Sequence, residues 1–216
     1  KLNFKIIPLT NENYISFSFV INSVKFTFID SYKFLGSSLE SLVSNLGVEN
    51  LTGTKKFFKN NFSLITGKSP FPYEYCDSFD KLYEKKLPLI EDFYSSLTEE
   101  IITDKEYERA INIWEKMKCK NLLDYLKNYL FLDILLLYDV FQNFRETCLR
   151  IDKLDPCWYF TMPGLSYDSM LKMTGVSIEL LTNEEMLEFF EASLRGGLCQ
   201  VSLRYAKANN RFQKKF

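Results

Sequence analysis

The stretch from Asn121 to about residue 150 constrains the fold of this chain more than any other. It reads as one helix, longer than is usual in a globular protein. Within it, every residue from Leu130 to Leu137 is apolar except Asp133. A helix that is hydrophobic all round is expected to be buried. An ionised carboxylate in such a place is costly unless it is paired or bound to a metal. Tyr129 precedes Asp133 by four residues, so the two share a face. Two readings stand. Asp133 is a capped or salt-bridged core residue beside a core Tyr, or it is a carboxylate kept for chemistry. The Tyr-x3-Asp pattern is not specific by itself: 13 Tyr in 216 residues give about 0.7 matches by chance. It occurs twice. Tyr73 and Asp77 lie in a Pro-rich, irregular stretch and are set aside; Tyr129 and Asp133 have the helical context.

Around this helix the pattern is mixed. Ile15, Phe17, Phe19 and Ile21 alternate, Asn22-Ser23 suits a turn, and Val24, Phe26 and Phe28 alternate again. That is a hairpin over residues 14–30. Ser37 and Glu40 have capping-box spacing ahead of Leu39, Leu42, Val43 and Leu46, and Gly47 ends that helix. Pro70, Pro72 and Pro88 break residues 50–100 into loops and short helices. Thr103 and Glu106 cap another helix with Tyr107, Ala110, Ile111, Trp114 and Met117 on one side. Pro163 suits the start of a helix and Gly175 its stop. Thr182 and Glu185 cap a last helix that ends at Gly196-Gly197. Leu198 to Tyr205 alternates weakly as a strand.

The chain has no histidine. This excludes a Ser-His-Asp triad, a Cys-His pair and a His-ligated zinc. Chemistry here rests on carboxylates, Tyr, Lys, Arg or Cys. Cys76, Cys119, Cys148, Cys157 and Cys199 are odd in number and show no C-x2-C spacing. They fit reduced thiols in an intracellular protein better than a disulfide framework. No apolar run approaches the roughly 18 residues of a membrane span. The net charge is −1, but it is unevenly spread. Residues 195–216 carry six basic side chains and no acid, which leaves −7 on the rest. Residues 177–194 carry five Glu and no Lys or Arg. Such a reversal suits a surface that meets a polyanion, or else a solvated basic tail.

Arg195-Gly196-Gly197 opens the basic stretch. Two glycines allow close backbone approach and the Arg can reach phosphate; a plain glycine helix stop reads equally from the local sequence. Tyr205 lies between Arg204 and Lys207, an arrangement that suits single-stranded nucleic acid or a polar edge strand. Asp104-Lys105-Glu106 is the only Asp-x-Glu and reads as helix capping. There is no Asp-x-Asp. Gly67-Lys68-Ser69 is not a phosphate-binding loop, because Phe62 stands where its first Gly belongs.

In order along the chain come Phe28-Ile29-Asp30-Ser31, Ser37-Ser38-Leu39-Glu40-Ser41-Leu42 and Phe71-Pro72-Tyr73-Glu74-Tyr75. Tyr129-x3-Asp133-x2-Leu136-Leu137 follows, with Asp139-Val140-Phe141. Then come Pro163-Gly164-Leu165, Leu171-Lys172-Met173-Thr174, Arg195-Gly196-Gly197 and Arg204-Tyr205-Ala206-Lys207-Ala208-Asn209-Asn210. This order resembles the family B DNA polymerases of the organellar and viral, protein-primed type, which mobile elements also carry. The resemblance covers the chain from about residue 14 to its end.

The resemblance implies a ribonuclease-H-like 3′–5′ exonuclease domain followed by a polymerase domain. It implies that Asp133 binds a divalent metal, Mg2+, in a two-metal site, and that Tyr129 orients the attacking water. Arg195, Gly196 and Gly197 match the loop between the two domains that holds DNA, with Leu194 where the pattern often has Tyr. Phe131 and Leu132 replace more polar residues usual inside the third exonuclease motif. Arg204, Tyr205 and Lys207 continue the DNA track. The implied partners are DNA, as primer-template and single-stranded 3′ end, deoxynucleotides and a terminal-protein primer, with no membrane. The first two exonuclease carboxylate motifs belong upstream of Lys1 and the palm motifs beyond Phe216. The chain is therefore expected to be a fragment, inactive alone.

The expected fold is mixed α/β and mostly helical. Residues 1–152 form the later part of the exonuclease domain, with a helical insertion over about 68–120. Residues 153–216 form the connection to the polymerase domain and its start. The alternative is a non-catalytic DNA-binding relic of a mobile-element polymerase.

Overall fold

The computed structural model describes residues 4–10, 12–59, 69–194, 196 and 205. The chain divides into two compact units, Lys1–Gly175 and Val176–Phe216. The first is mixed α/β and mostly helical.

It opens on a three-stranded antiparallel sheet in the order β1 (Lys5–Pro8), β2 (Tyr14–Ile21), β3 (Val24–Ile29). The hairpin turns at Asn22 and Ser23, both at positive φ, as a two-residue turn matched to strand twist requires. Phe17 lies opposite Phe28, and their rings stack 4.4 Å apart. β1, which no alternation in the sequence announced, pairs with the outer edge of β2.

Helix α1 (Leu39–Leu46) is capped by Ser38, which accepts from the Ser41 amide, and stops at Gly47 with φ 81°. The box expected from Ser37 and Glu40 is thus shifted by one residue. Adjacent serines are equivalent caps on paper; the capping bond goes to Ser38, whose backbone is extended. A short helix, α2 (Thr52–Phe58), follows. Single helical turns occur at Asp80–Tyr83 and Ile90–Phe93. The capping box at Thr103 and Glu106 forms as expected and starts α3 (Asp104–Lys116).

Helix α4 runs from Leu122 to Ile151, with the Asn121 side chain accepting from the Asp124 amide at its start. Leu122, Tyr125, Leu132, Leu136 and Val140 form its buried stripe and meet Val43, Leu51, Phe58, Ala110 and Ile113. Burial of each of the larger side chains contributes on the order of 1.5–3 kcal/mol. Its far end packs Cys148 with Phe34 and Leu165. The expectation of a helix buried all round is corrected here. Leu130, Phe131, Ile134 and Tyr138 are exposed, because α1, α2 and α3 cover one side of α4 only.

After α4, Asp155 caps a turn at Pro156–Trp158 and is held by Arg145. Helix α5 (Met162–Thr174) begins with Pro163 in its first turn and ends at Gly175, φ 65°. In the second unit, α6 (Glu184–Ser193) is capped by Asn183, which accepts from the Met186 amide. Thr182 and Glu185 are therefore not the cap, and the helix stops before Gly196. The strand expected from Leu198 lies outside the described residues, apart from Tyr205. Among the described residues no helix is long and apolar enough to cross a membrane.

Candidate active site

Tyr125, Tyr129 and Asp133 follow one another at helical spacing on α4, and each meets the Pro-rich segment or its own neighbour on the stripe. The Tyr125 hydroxyl donates to the Pro70 carbonyl at 2.7 Å, which ties that segment to the helix. Phe71 packs against both the Tyr125 and Tyr129 rings. This places the Tyr73 hydroxyl in a hydrogen bond with the Tyr129 hydroxyl. Tyr129 is itself buried. Its phenol is pushed far above the ordinary tyrosine range, first by burial, then by the bond to Tyr73, then by bonding to the Asp133 carboxylate and its negative charge. The hydroxyl therefore stays protonated at any physiological pH. It acts as a neutral donor and acceptor, not as a phenolate.

Asp133 is the unusual member. Its Oδ1 is buried and has no hydrogen-bond partner among the described residues. A buried carboxylate oxygen without a partner costs the desolvation of that group. This fits a carboxylate that donates one oxygen to a cation. Among the described residues, no three carboxylates or thiols gather into a metal-binding group. The described residues thus bring together one carboxylate and two linked hydroxyls here.

Asp139, further along α4, is the contrast. It is buried and fully satisfied, accepting from the Gly53 amide at 2.7 Å, the Thr54 amide at 2.8 Å and the Thr54 hydroxyl at 2.7 Å. It anchors α2, and each of its two oxygens already has a partner there.

The sequence-derived residues separate into three groups. Tyr129 and Asp133 come together on α4. Gly196 and Tyr205 belong to the second unit, where Tyr205 is exposed and a Cβ at position 196 would meet nothing within 4 Å. Arg195, Gly197, Arg204 and Lys207 lie outside the described residues. The member that sequence reasoning passed over is Tyr73. Its own Tyr-x3-Asp match with Asp77 is irrelevant. What places it is a contact with Tyr129 56 residues away, and no local periodicity reports such a contact.

Residues 2–213 match the family described as DNA polymerase type B, organellar and viral. The chain belongs to this family. A DNA polymerase of Kluyveromyces lactis is 29% identical over 206 residues, which is 90% of this chain and 19% of that protein. A probable DNA polymerase of Podospora anserina is 25% identical over 186 residues, 85% of this chain and 14% of that protein. The chain thus spans less than a fifth of the length of these two relatives. No solved structure matches it with comparable significance.

Proposed function

We propose that this chain is the part of a DNA-directed DNA polymerase that completes a 3′–5′ proofreading exonuclease and leads into the polymerase domain. The observation that carries the reading is the buried, unpartnered Oδ1 of Asp133 beside the Tyr73–Tyr129 hydroxyl pair. Asp133 would hold a divalent cation, Mg2+, through its unpartnered Oδ1, on a ribonuclease-H-like fold. Ions of this kind, two in the full site, would supply charge stabilisation for phosphodiester cleavage. Tyr129, kept neutral, positions the attacking water through its hydroxyl, and Tyr73 holds that hydroxyl in place. This division of labour needs no histidine, which agrees with a chain that has none.

The substrate is the single-stranded 3′ end of a primer, with deoxynucleotides and a terminal-protein primer serving the intact polymerase. Arg195, Gly196, Gly197, Arg204, Tyr205 and Lys207 continue the DNA path towards the polymerase domain. The protein acts inside the cell, where cysteines odd in number and without C-x2-C spacing would stay reduced. The test is excision of a labelled single-stranded oligonucleotide by the complete polymerase that carries this chain. Asp133→Asn is expected to lower excision at least about 100-fold while leaving primer extension within twofold. Excision at the wild-type rate overturns the assignment.

A further inference from the structure

Between Glu49 and Glu74 the chain has four Lys and no acidic residue, although acids outnumber bases overall. The whole of α2 falls in this stretch. Lys55, Lys56 and Lys59 are exposed, and among the described residues none of them forms an ion pair. Lysines near a helix end also suit the helix dipole, which accounts for their position but not for what stands beside them. Phe57 is 51% exposed and Phe131 of α4 is 47% exposed. Their rings meet at 5.3 Å, tilted by 33°. Two large aromatic rings paired with each other and open to solvent leave a flat apolar face for a further ring.

The helix that presents these groups is firmly held. Thr54 and Phe58 are buried, and Asp139 binds the Gly53 and Thr54 amides and the Thr54 hydroxyl. On a helical wheel the buried side lies at Thr54 and Phe58, Phe57 on one flank, Lys55 on the other, and Lys56 between them on the open side. Lys56 on the open side next to a solvent-facing aromatic pair, with Lys55 and Lys59 further round the helix and no acid within the stretch, complements a polyanion that carries unstacked rings. That is the chemistry of single-stranded nucleic acid. A duplex keeps its bases stacked and would use the lysines alone. Phe131 is two residues from both Tyr129 and Asp133, about 200° round α4, so this surface is separate from the candidate active site.

We infer that α2 with Phe131 forms a second contact surface for a single strand, with phosphates on Lys55, Lys56 and Lys59 and a base on the Phe57–Phe131 pair. The inference rests on the nucleic-acid reading above but concerns a different face of α4. The test is equilibrium binding of a fluorescent oligo(dT) by this chain across a salt series. The K55Q/K56Q/K59Q variant is expected to lose about 2 from the log–log salt slope, at roughly 0.7 per phosphate contact. K55R/K56R/K59R is expected to restore it. Phe57→Ala is expected to weaken binding at fixed salt at least about fivefold with the slope unchanged, and Phe57→Tyr to retain it. Circular dichroism checks that each variant is folded. A folded lysine variant with the wild-type slope overturns the surface while leaving the nucleic-acid reading intact. Tighter binding of a hairpin duplex than of oligo(dT) also overturns it. No binding by the wild-type chain overturns the surface and removes support from the nucleic-acid reading together. An effect of Asp133→Asn on excision, absent for the lysine variant, separates the two.

Discussion

Asp133 and Asp139 stand less than two turns apart on one helix, and their surroundings are opposite. Asp139 accepts three hydrogen bonds from the start of α2. Asp133 has a buried oxygen with no partner and a neighbouring phenol that it pushes upward. The two carboxylates are chemically identical, so the difference lies in what the fold brings to each. One fastens a helix. The other has a buried oxygen without a partner among the described residues, and we propose that it is kept for what it binds.

This contrast fixes the order of expected effects. The largest is Asp139→Ala. It leaves two amides and a hydroxyl unsatisfied, and hydrogen bonds to a charged group are worth about 1.5–3 kcal/mol each. A loss of about 4 kcal/mol in urea unfolding is expected; a loss below about 1 kcal/mol would show that α2 is held by packing alone. Next comes Gly53→Ala. A Cβ there would lie 2.9 Å from Asp139 Oδ1 and 3.0 Å from the Tyr138 ring. Overpacking of this kind costs about 1–3 kcal/mol, and a stability equal to wild type would show that the close approach of Asp139 and Tyr138 does not require a glycine at the second position of α2.

Tyr73→Phe probes the other side. It removes one hydrogen bond, with an expected cost of about 1 kcal/mol in urea unfolding. A stability equal to wild type would remove Tyr73 from the site. The smallest effect concerns a third aspartate, Asp155, which Arg145 grips through Oδ2 at 2.6 Å. That bond holds its carboxyl down at about 2. A depressed carboxylate stabilises above its ordinary value and loses the contribution as pH falls towards 2. Asp155→Asn should therefore cost about 1 kcal/mol at pH 7, limited by the exposure of Arg145, and progressively less below pH 4. A cost that persists at pH 2 would contradict the pairing.

Much of this was legible in the sequence, and the failures have identifiable causes. Alternation found β2 and β3, and the Asn22-Ser23 turn was read correctly because positive φ narrows the choice of residues. Gly47 and Gly175 marked helix ends for the same reason. The caps at Ser38 and Asn183 were each placed one residue early, since neighbouring polar residues offer the same hydrogen bond. Asp133 stood out because an acid inside an apolar run is conspicuous. Asp139 and Tyr73 did not, because their partners are 85 and 56 residues away and nothing local reports them. The exposure of Ile134 and Tyr138 was hidden too: an apolar face shows that something can cover it, not that this chain does.

The most direct test of the contrast is a paired urea unfolding of Asp133→Asn and Asp139→Asn under identical conditions. The account predicts that Asp139→Asn is destabilised by about 2 kcal/mol, whereas Asp133→Asn costs less than about 0.5 kcal/mol, since Oδ1 has no partner to lose and the amide keeps an acceptor for Tyr129. Equal destabilisation of both would contradict it and would make Asp133 a structural residue like Asp139.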